Sequence, residues 1–410
     1  MKNFVWLFVG LIVLVSIKSY PQSNHENNEI TTTDSSSLLQ KVKISGYIQP
    51  QFQVVESKGA ATISGGDFEP NTNNRFILRR GRLKASFNSK NAEYVFQINA
   101  TEEGIELDEV YIALSEPWLK TFTFTIGIFE RPLGYEIGYS SSMLESPERS
   151  RVMKSLCPDE KDLGAMFTVQ APESSVLHFI SFDVGLFNGT GPFHRDFDNR
   201  KDIIAHLYIN QSAFSDLINY RCGISIESGG FDNQSKKHYV WNNGFQIEPN
   251  DTLAEAIRSF NGVDAECSVN WFLGKTQLRG EYIFGIQSGT LLSNTTPVVA
   301  PDVAACSRDF TGGYLLFLHN LPNNEIQLVA KYDWLDPNTK IAGNQIGFLP
   351  NSGAADISYT TLGFGLNYYC NKNLKFLAWY EIINNESTQV ADFKSDIKDN
   401  LFTLRMQYKF

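Results

Sequence analysis

The sequence predicts an all-β protein, a transmembrane antiparallel β-barrel of about 16 strands with short periplasmic turns and long extracellular loops. The first observation is the segment 401–410, where apolar Phe402, Leu404 and Met406 alternate with polar side chains. That period of two is typical of a strand with two different faces, and the length suits a tilted strand that crosses a bilayer. The second observation is that similar alternation recurs along the chain. The third is that long and short connections follow each other between the alternating segments.

The chain stops on an aromatic residue, Phe410, and a second aromatic, Tyr408, lies two positions before it. This ending resembles the C-terminal strand of bacterial outer-membrane β-barrels. The resemblance implies that the barrel assembly machinery is a partner through Phe410 and that the protein resides in the outer membrane. The final strand of a soluble protein is the alternative interpretation of this segment.

The N-terminal part of the chain predicts export. A single continuous apolar run, 4–17, is too short for a spanning helix and is typical of a signal-peptide core. We therefore predict a signal peptide over 1–20, a flexible polar leader over 21–41 and the barrel over 42–410, with a membrane anchor as the alternative for the apolar run.

Composition excludes several classes of function. The five cysteines are an odd number without metal-ligand spacing, so we predict neither a disulfide framework nor a metal site. The formal net charge of −10 argues against a nucleic-acid-binding surface. The histidines are scattered, with no serine partner and supporting acid, so we predict that the protein is not an enzyme and needs no cofactor.

Sixteen segments carry the period-two pattern. We predict strands at 42–54, 75–87, 93–100, 107–114, 121–128, 163–171, 176–187, 201–211, 217–227, 260–272, 277–287, 310–318, 325–335, 357–370, 374–384 and 400–410. The segment 237–248 also suits a strand but is assigned to a loop. An even number of strands is typical of single-chain bacterial barrels.

The connections between these strands alternate in length. We predict long ones at 55–74, 129–162, 188–200, 228–259, 288–309, 336–356 and 385–399, and short ones at 88–92, 115–120, 172–175, 212–216, 273–276, 319–324 and 371–373. Only 101–106 is short where a long one is expected. Because one rim of such barrels carries loops and the other carries tight turns, this pattern places both termini on the periplasmic rim.

A run of cations, 75–84, dominates the second predicted strand. Strand periodicity places Arg80, Arg82 and Lys84 on one face, which must be the lumen because three charges facing lipid would cost several kcal/mol. Arg79 falls on the apolar face, and we expect it near the external rim, where it can snorkel. A helix, which aligns different arginines, is the alternative.

Closing the barrel places the last strand beside the first and so assembles a basic stripe along one wall. Its expected members are Lys43, Arg80, Arg82, Lys84, Arg405 and Lys409. Two interpretations remain open at this point. The stripe either attracts anions, or it pairs with acidic loop residues and holds them in place.

The longest predicted connection, 129–162, carries many charges of its own. Its cations are Arg131, Arg149, Arg151 and Lys154, and glutamates and aspartates lie among them. Long charged loops are usually functional, so we expect this one to fold inward and narrow the pore. An ordinary extracellular loop is the alternative.

Taken together, several short motifs resemble one family, the phosphate-selective porins O and P, over nearly all of the mature chain. The motifs are GYIQP at 46–50, the basic run 75–84, GIFERPLG at 127–134, ERS at 148–150, GLFNGTG at 185–191, KYDWLDPN at 331–338 and the final strand. The resemblance implies a trimeric, 16-stranded porin whose third loop folds into the lumen. It also implies phosphate-like anions as solutes, bound by Arg79, Arg80, Arg82 and Lys84 with Lys154 or Arg131 from the loop.

The sequence therefore predicts passive uptake of small anions such as phosphate or polyphosphate. Three alternatives stay open: a general diffusion porin, a sugar-preferring porin and a surface adhesin barrel. The acidic net charge and modest basic content depart from the family pattern and argue against strict phosphate selectivity.

Overall fold

Sixteen strands form one closed antiparallel barrel, which confirms the predicted fold class. The computed structural model describes residues 42–247, 255–296 and 302–410. The barrel strands pair in sequence order, and the first strand pairs with the last, which closes the ring. The predicted signal peptide, 1–20, and leader, 21–41, lie outside the described residues.

The strands are β1 (Val42–Val55), β2 (Asn74–Asn88), β3 (Ala92–Thr101), β4 (Gly104–Ser115), β5 (Phe122–Glu130), β6 (Lys161–Gln170), β7 (Ile180–Phe187), β8 (Asp202–Ala213), β9 (Ile218–Asp232), β10 (His238–Trp241), β11 (Phe245–Ile247), β12 (Glu255–Trp271), β13 (Gly274–Gly289), β14 (Ala305–Asn320), β15 (Ile326–Asp336), β16 (Tyr359–Tyr369), β17 (Leu374–Asn385) and β18 (Leu401–Lys409). A short helix, α1 (Arg151–Leu156), lies between β5 and β6. Three 3₁₀ turns lie in later loops: Gly343–Gln345, Ala354–Asp356 and Ala391–Phe393. No helix within the described ranges is both long and apolar enough to span a membrane.

The predicted strands all occur, and several differ at their ends; for example, β9 ends at Asp232 rather than 227 and β14 begins at Ala305 rather than 310. β12 begins at Glu255 rather than 260, because its inward-facing side chains include apolar Ala256 and Phe260, which hide the alternation of a polar and an apolar face. β7 begins at Ile180 rather than 176, because successive turns occupy the preceding residues. The segment 237–248 contains the β10–β11 hairpin, which lies outside the ring of sixteen.

The two faces of the strands have opposite environments. In β18, Thr403 and Arg405 are buried inside, whereas Phe402 and Leu404 are exposed outside. Large apolar side chains are exposed on strands all around the barrel. Soluble monomers rarely show continuous apolar surface on this scale, and a lipid environment accounts for it.

Irregular pairing changes the direction of two side chains relative to the simple alternation. Along β1 and β2 the register passes from Gln49–Arg80 to Pro50–Leu78, so Arg79 has no partner on β1. Such a β-bulge lets two successive residues share a face. The prediction that Arg79 lies on the apolar face is therefore wrong, and its side chain reaches a carboxylate inside the barrel.

A second bulge lies between β3 and β4. The register passes from Gln97–Glu109 to Ile98–Leu107 and skips Asp108. Asp108 and Glu109 are both buried, and both make ion pairs inside the barrel. At both bulges, the strand therefore carries two adjacent residues of like charge: Arg79 and Arg80 in β2, and Asp108 and Glu109 in β4.

The lumen is not polar throughout. An apolar cluster fills its side nearest β7, β8 and β12 to β15. It contains wall residues such as Phe187, Phe260 and Ile283, packed with Leu133 and Val152 from the connection between β5 and β6. That connection therefore brings its own apolar surface into the barrel.

The terminal residue Phe410 lies at the seam that closes the barrel. Its backbone exchanges two hydrogen bonds with Gly46 of β1, at 3.0 and 3.1 Å. A Cβ on residue 46 would lie 2.7 Å from the Phe410 ring, so only glycine leaves room for the ring there. The aromatic end thus packs on the strand that closes the ring.

We expect removal of Phe410 to lower the yield of folded barrel strongly, because it deletes both the seam contact and the terminal aromatic. The measurement is the fraction of outer-membrane protein that shows heat-modifiable migration in gels. A substitution at the exposed Phe348 in a loop serves as control. An unchanged folded fraction without Phe410 would contradict the assembly role.

Candidate functional site

The connection between β5 and β6, residues 131–160, lies inside the barrel. It leaves and rejoins the wall at the paired residues Glu130 and Lys161. From there it reaches the far wall, where Lys375 Nζ lies 2.9 Å from the Leu144 carbonyl oxygen. We call residues 131–160 the lumen loop.

One carboxylate of the lumen loop holds three arginines of the wall. Glu148 accepts bonds from Arg79 at 2.8 Å, Arg80 at 2.8 Å and Arg405 at 3.1 Å. The Pro147 carbonyl oxygen accepts a further bond from Arg405 at 2.7 Å. Two members of the predicted basic stripe, Arg80 and Arg405, are therefore paired with the lumen loop.

Glu148 and two of its three arginine partners, Arg80 and Arg405, are shielded from water. Side-chain exposure is 2% for Glu148 and 3% for both Arg80 and Arg405. Burial acts to raise the pKa of the Glu148 carboxyl, but Arg79, Arg80 and Arg405 hold that pKa well below its usual range. This loop carboxylate is therefore charged at any physiological pH.

Two further cations of β2, Arg82 and Lys84, pair with the carboxylates at the second bulge. Arg82 lies 3.2 Å from Asp108, and Lys84 lies 3.0 Å from Glu109. Lys161, at the base of the lumen loop, also bonds Asp108 at 2.7 Å. Cations and carboxylates thus alternate across β2, β4 and β6.

The four cations predicted in the loop do not come together in the structure, because each makes different contacts. Arg149 is buried and bonds the Glu136 carbonyl oxygen at 2.8 Å, and it forms an ion pair with Glu160. Arg131 is buried too and donates to the Leu156 carbonyl oxygen at 3.1 Å. Both cations hold the loop in shape. Their roles in solute binding therefore stay predictions.

Arg151 and Lys154 lie in α1, near the C-terminal end of the lumen loop. The Arg151 guanidinium stacks 4.1 Å from the centre of the Tyr359 ring. Lys154 Nζ bonds the Pro158 carbonyl oxygen at 3.2 Å. Neither side chain lies in the group formed by Arg82 and Lys84.

Lys43 and Lys409 are the two remaining members of the predicted basic stripe. Lys43 is exposed in β1 and lies opposite Ser86 in the register with β2. Lys409 lies opposite Tyr47 of β1, and its Nζ is 3.5 Å from the Ser142 hydroxyl. Of these two, Lys409 reaches the lumen loop.

A glycine and a buried glutamate fix the start of the lumen loop. Glu281 of β13 accepts the Glu136 backbone N–H at 3.0 Å. Gly134 has φ of +66°, and a Cβ there would lie 1.6 Å from the Glu281 carboxylate. Only glycine fits both this conformation and this close approach.

The lumen loop leaves a polar space beside β1 to β5. Its volume is about 500 Å³. We call it the vestibule; its charged lining is Arg82, Lys84, Glu93, Glu109, Glu130 and Lys409. Tyr47, Gln97, Tyr111, Thr123, Thr125, Ser140 and Ser142 add polar groups to the lining.

Several site residues were missed by reasoning from the sequence. Glu148 was noted only as one acid among others in the loop, and Asp108 and Lys161 were not assigned to the lumen. The signal available for Asp108 is its adjacency to Glu109, since two successive charges in a strand require a bulge or a charge facing lipid. No comparable signal identifies Glu148 as the partner of three arginines.

Comparisons of sequence find no relatives: no protein-family model matches, and no curated protein matches.

Solved structures, in contrast, share the fold. OprB of Pseudomonas putida aligns at a TM-score of 0.57 and 10% identity, over 92% of this chain and 96% of that chain. An anion-selective porin from Comamonas acidovorans aligns at 0.54 and 9% identity, over 90% and 99%. OmpF of Salmonella typhi, in complex with daunomycin, aligns at 0.54 and 12% identity, over 90% and 97%.

At such identities the likeness establishes the fold, which is that of bacterial outer-membrane porins. The closed barrel and its apolar exterior support the predicted location in the bacterial outer membrane.

Proposed function

We propose that this protein is a passive diffusion porin for small hydrophilic solutes. The observation that carries the proposal is the lumen loop, which is anchored inside a closed barrel and borders a polar vestibule of about 500 Å³. An inward loop narrows the path, and the hydroxyls and charges of the vestibule replace part of the hydration shell of a passing solute.

The balance of charge favours a general porin over a phosphate-selective one. Three cations line the vestibule, and so do three carboxylates, Glu93, Glu109 and Glu130. Arg80 and Arg405, which the sequence predicts as anion sites, are paired with Glu148. The field of the basic stripe is therefore largely cancelled before it reaches a solute.

Anion uptake is the finer function that the resemblance to the phosphate-selective porins O and P implies. One observation supports it: Arg82, Lys84 and Lys409 line the vestibule. Arginine and lysine are the usual ligands of phosphate-like anions. We propose a weak anion preference at most, because Arg82 and Lys84 are paired with Asp108 and Glu109, and two further carboxylates, Glu93 and Glu130, line the same space.

A salt-gradient measurement tests this proposal. We expect stepwise currents in planar bilayers and a reversal potential near zero in a potassium chloride gradient. Replacing both Arg82 and Lys84 with Gln leaves the three vestibule carboxylates in excess and shifts the reversal potential toward cation preference. A strongly anionic reversal potential for the parent, with current blocked by phosphate, would instead favour the phosphate-selective function.

A surface-binding barrel is the second candidate. The loops after β9, β15 and β17 share an apolar cluster of Ile341, Ile346 and Ile357 with Trp241 packed against it. This gives the loop rim a packed, folded structure of the kind that binding surfaces need. Absence of current from folded protein would favour this function over diffusion.

The resemblance also implies a homotrimer, which we propose as the assembly in the membrane. Chemical cross-linking of intact outer membranes tests it. A ladder that ends at three subunits supports the trimer, and a species that stays monomeric at every cross-linker concentration contradicts it.

A further inference from the structure

The short turns divide the periplasmic rim of the barrel into an apolar half and a polar half. Large apolar side chains are exposed in four consecutive turns, 116–121, 171–179, 214–217 and 272–273. The most exposed residues of these turns, at 77 to 86% exposure, are Trp118, Val176, Phe214 and Phe272. We call these four turns the apolar half-rim.

The other short turns, all of which the structure describes, have a different composition. They are 89–91, 321–325 and 370–373, and together with the start of β1 and the end of β18 they form the other half of the rim. None of these three described turns exposes a large apolar side chain, and their exposed residues include Lys90, Asn323 and Lys372. Single exposed apolar side chains are common on proteins, but their confinement to one half of a rim indicates a surface that is covered.

Two turns of the apolar half-rim hold their apolar side chains away from the protein. Glu116 accepts backbone N–H groups at 2.7 to 2.8 Å from Trp118, Leu119 and Thr121, which fixes that turn. Phe214 has φ of +54°, a left-handed conformation that is unfavourable for a bulky residue. A strained turn that exposes an aromatic ring instead of packing it points to a role for the ring.

Two of the shortest strands in the ring, β5 and β7, lead into the apolar half-rim. β5 has nine residues and β7 has eight. At about 3.3 Å per residue and a tilt of about 40°, they span about 23 and 20 Å, less than the apolar band of about 25 Å in such barrels. At its other end β5 leads into the lumen loop, inside the barrel. Apolar surface can therefore be added to β5 only through the turn 116–121.

We propose that the apolar half-rim lies in the inner leaflet of the outer membrane, in contact with phospholipid, while the polar turns stay in the periplasm. Tryptophan, phenylalanine and leucine are favoured at such interfaces. The strands that carry these turns expose Leu114, Tyr220 and Leu278 on their outer face, so the turns continue the surface that faces lipid. Immersion of only one half of the rim tilts the barrel axis from the membrane normal.

The arrangement of the four turns favours lipid over a protein partner. They join eight strands, which are half of the ring. At a spacing of about 4.8 Å, the turns follow about 40 Å of a convex edge and do not form one patch. A lipid leaflet follows such an edge without any matching shape, whereas a protein would have to wrap around it.

The accessibility of spin labels tests the proposal in barrels reconstituted into vesicles of phosphatidylethanolamine and phosphatidylglycerol. Single cysteines are introduced into a background free of native cysteines by Leu119→Cys, Phe214→Cys and Phe272→Cys. The matched controls in the polar turns are Lys90→Cys, Asn323→Cys and Lys372→Cys. We expect the ratio of collisions with oxygen, which concentrates in lipid, to collisions with a water-soluble nickel chelate to be several-fold higher in the apolar half-rim.

A second measurement uses the protein with its native cysteines. A triple variant with Leu119→Gln, Phe214→Gln and Phe272→Gln should fold like the parent in thin dilauroyl vesicles. It should give a lower folded fraction in thicker dioleoyl vesicles, because the shortened apolar surface no longer matches the bilayer. The control triple variant with Lys90→Gln, Asn323→Gln and Lys372→Gln should fold like the parent in both, as judged by heat-modifiable migration.

Each contrary outcome overturns the proposal. Equal collision ratios in the two sets of turns would show that the two halves of the rim share one environment. Labels shielded from both reagents in the apolar half-rim would indicate a protein surface, such as a second copy of this chain. An equal loss of folding in thin and thick vesicles would show that the turns stabilise the barrel without contacting lipid. These readouts do not depend on conduction, so the porin function is tested separately.

Discussion

Glu148→Gln releases the lumen loop, and trypsin then cuts the folded protein between residues 131 and 160. The substitution removes the single carboxylate that compensates Arg79, Arg80 and Arg405 inside the barrel. Breaking a buried ion pair by removing one partner typically costs about 3–5 kcal/mol. The strand ladders do not include Glu148, so we expect the barrel to persist while the loop leaves its position.

Two measurements test whether the loop is released: trypsin cleavage within residues 131–160 and the single-channel conductance. In the parent, Arg149 is buried and should resist trypsin. In the variant we expect cuts within the lumen loop and a larger single-channel conductance. Asp159→Asn removes an exposed carboxylate of the same loop and should leave both readouts unchanged. A protected loop and parental conductance in Glu148→Gln would show that the three arginines do not hold it.

Gly134→Val has the second largest expected effect. Valine at φ of +66° is strained by more than about 1 kcal/mol, and its Cβ would overlap the Glu281 carboxylate. The start of the lumen loop must then move and give up the bond between the Glu136 N–H and Glu281. We expect the temperature at which the folded barrel is lost in gels to fall clearly.

Gly138→Val in the same loop provides a matched control. Gly138, unlike Gly134, does not have a positive φ, and a Cβ there would meet no atom within 4 Å. We therefore expect parental heat resistance for Gly138→Val. Equal loss of heat resistance in both variants would mean that the loop tolerates no valine, whatever its contact with Glu281.

The period of two carried most of the fold prediction. Side chains such as Phe402 and Arg405 differ so much in polarity that only one assignment of faces suits a lipid exterior. The same rule failed at Arg79 and Asp108, because a bulge shifts the alternation by one residue. Two adjacent residues of like charge are the only feature of the local sequence that indicates either bulge.

The candidate site was less predictable than the fold. The sequence indicates which cations face inward, but their neutralisation by Glu148 depends on where a 30-residue loop lies between Arg131 and Glu160. Contacts over such separations follow from packing of the whole barrel and leave no periodic signal. The sequence therefore left open whether the basic stripe attracts anions or holds the loop, and the observed pairs match the second interpretation.

A thiol-modification experiment tests most directly whether the vestibule is the solute path. Thr123 lines the vestibule, and the adjacent Phe124 is exposed on the outer face. Cysteine is placed at each position in a background free of native cysteines, and a charged methanethiosulfonate reagent is added during bilayer recording. We predict a stepwise fall in current for Thr123→Cys and no change for Phe124→Cys. Full modification of Thr123→Cys with unchanged current would contradict the claim that solutes pass through the vestibule.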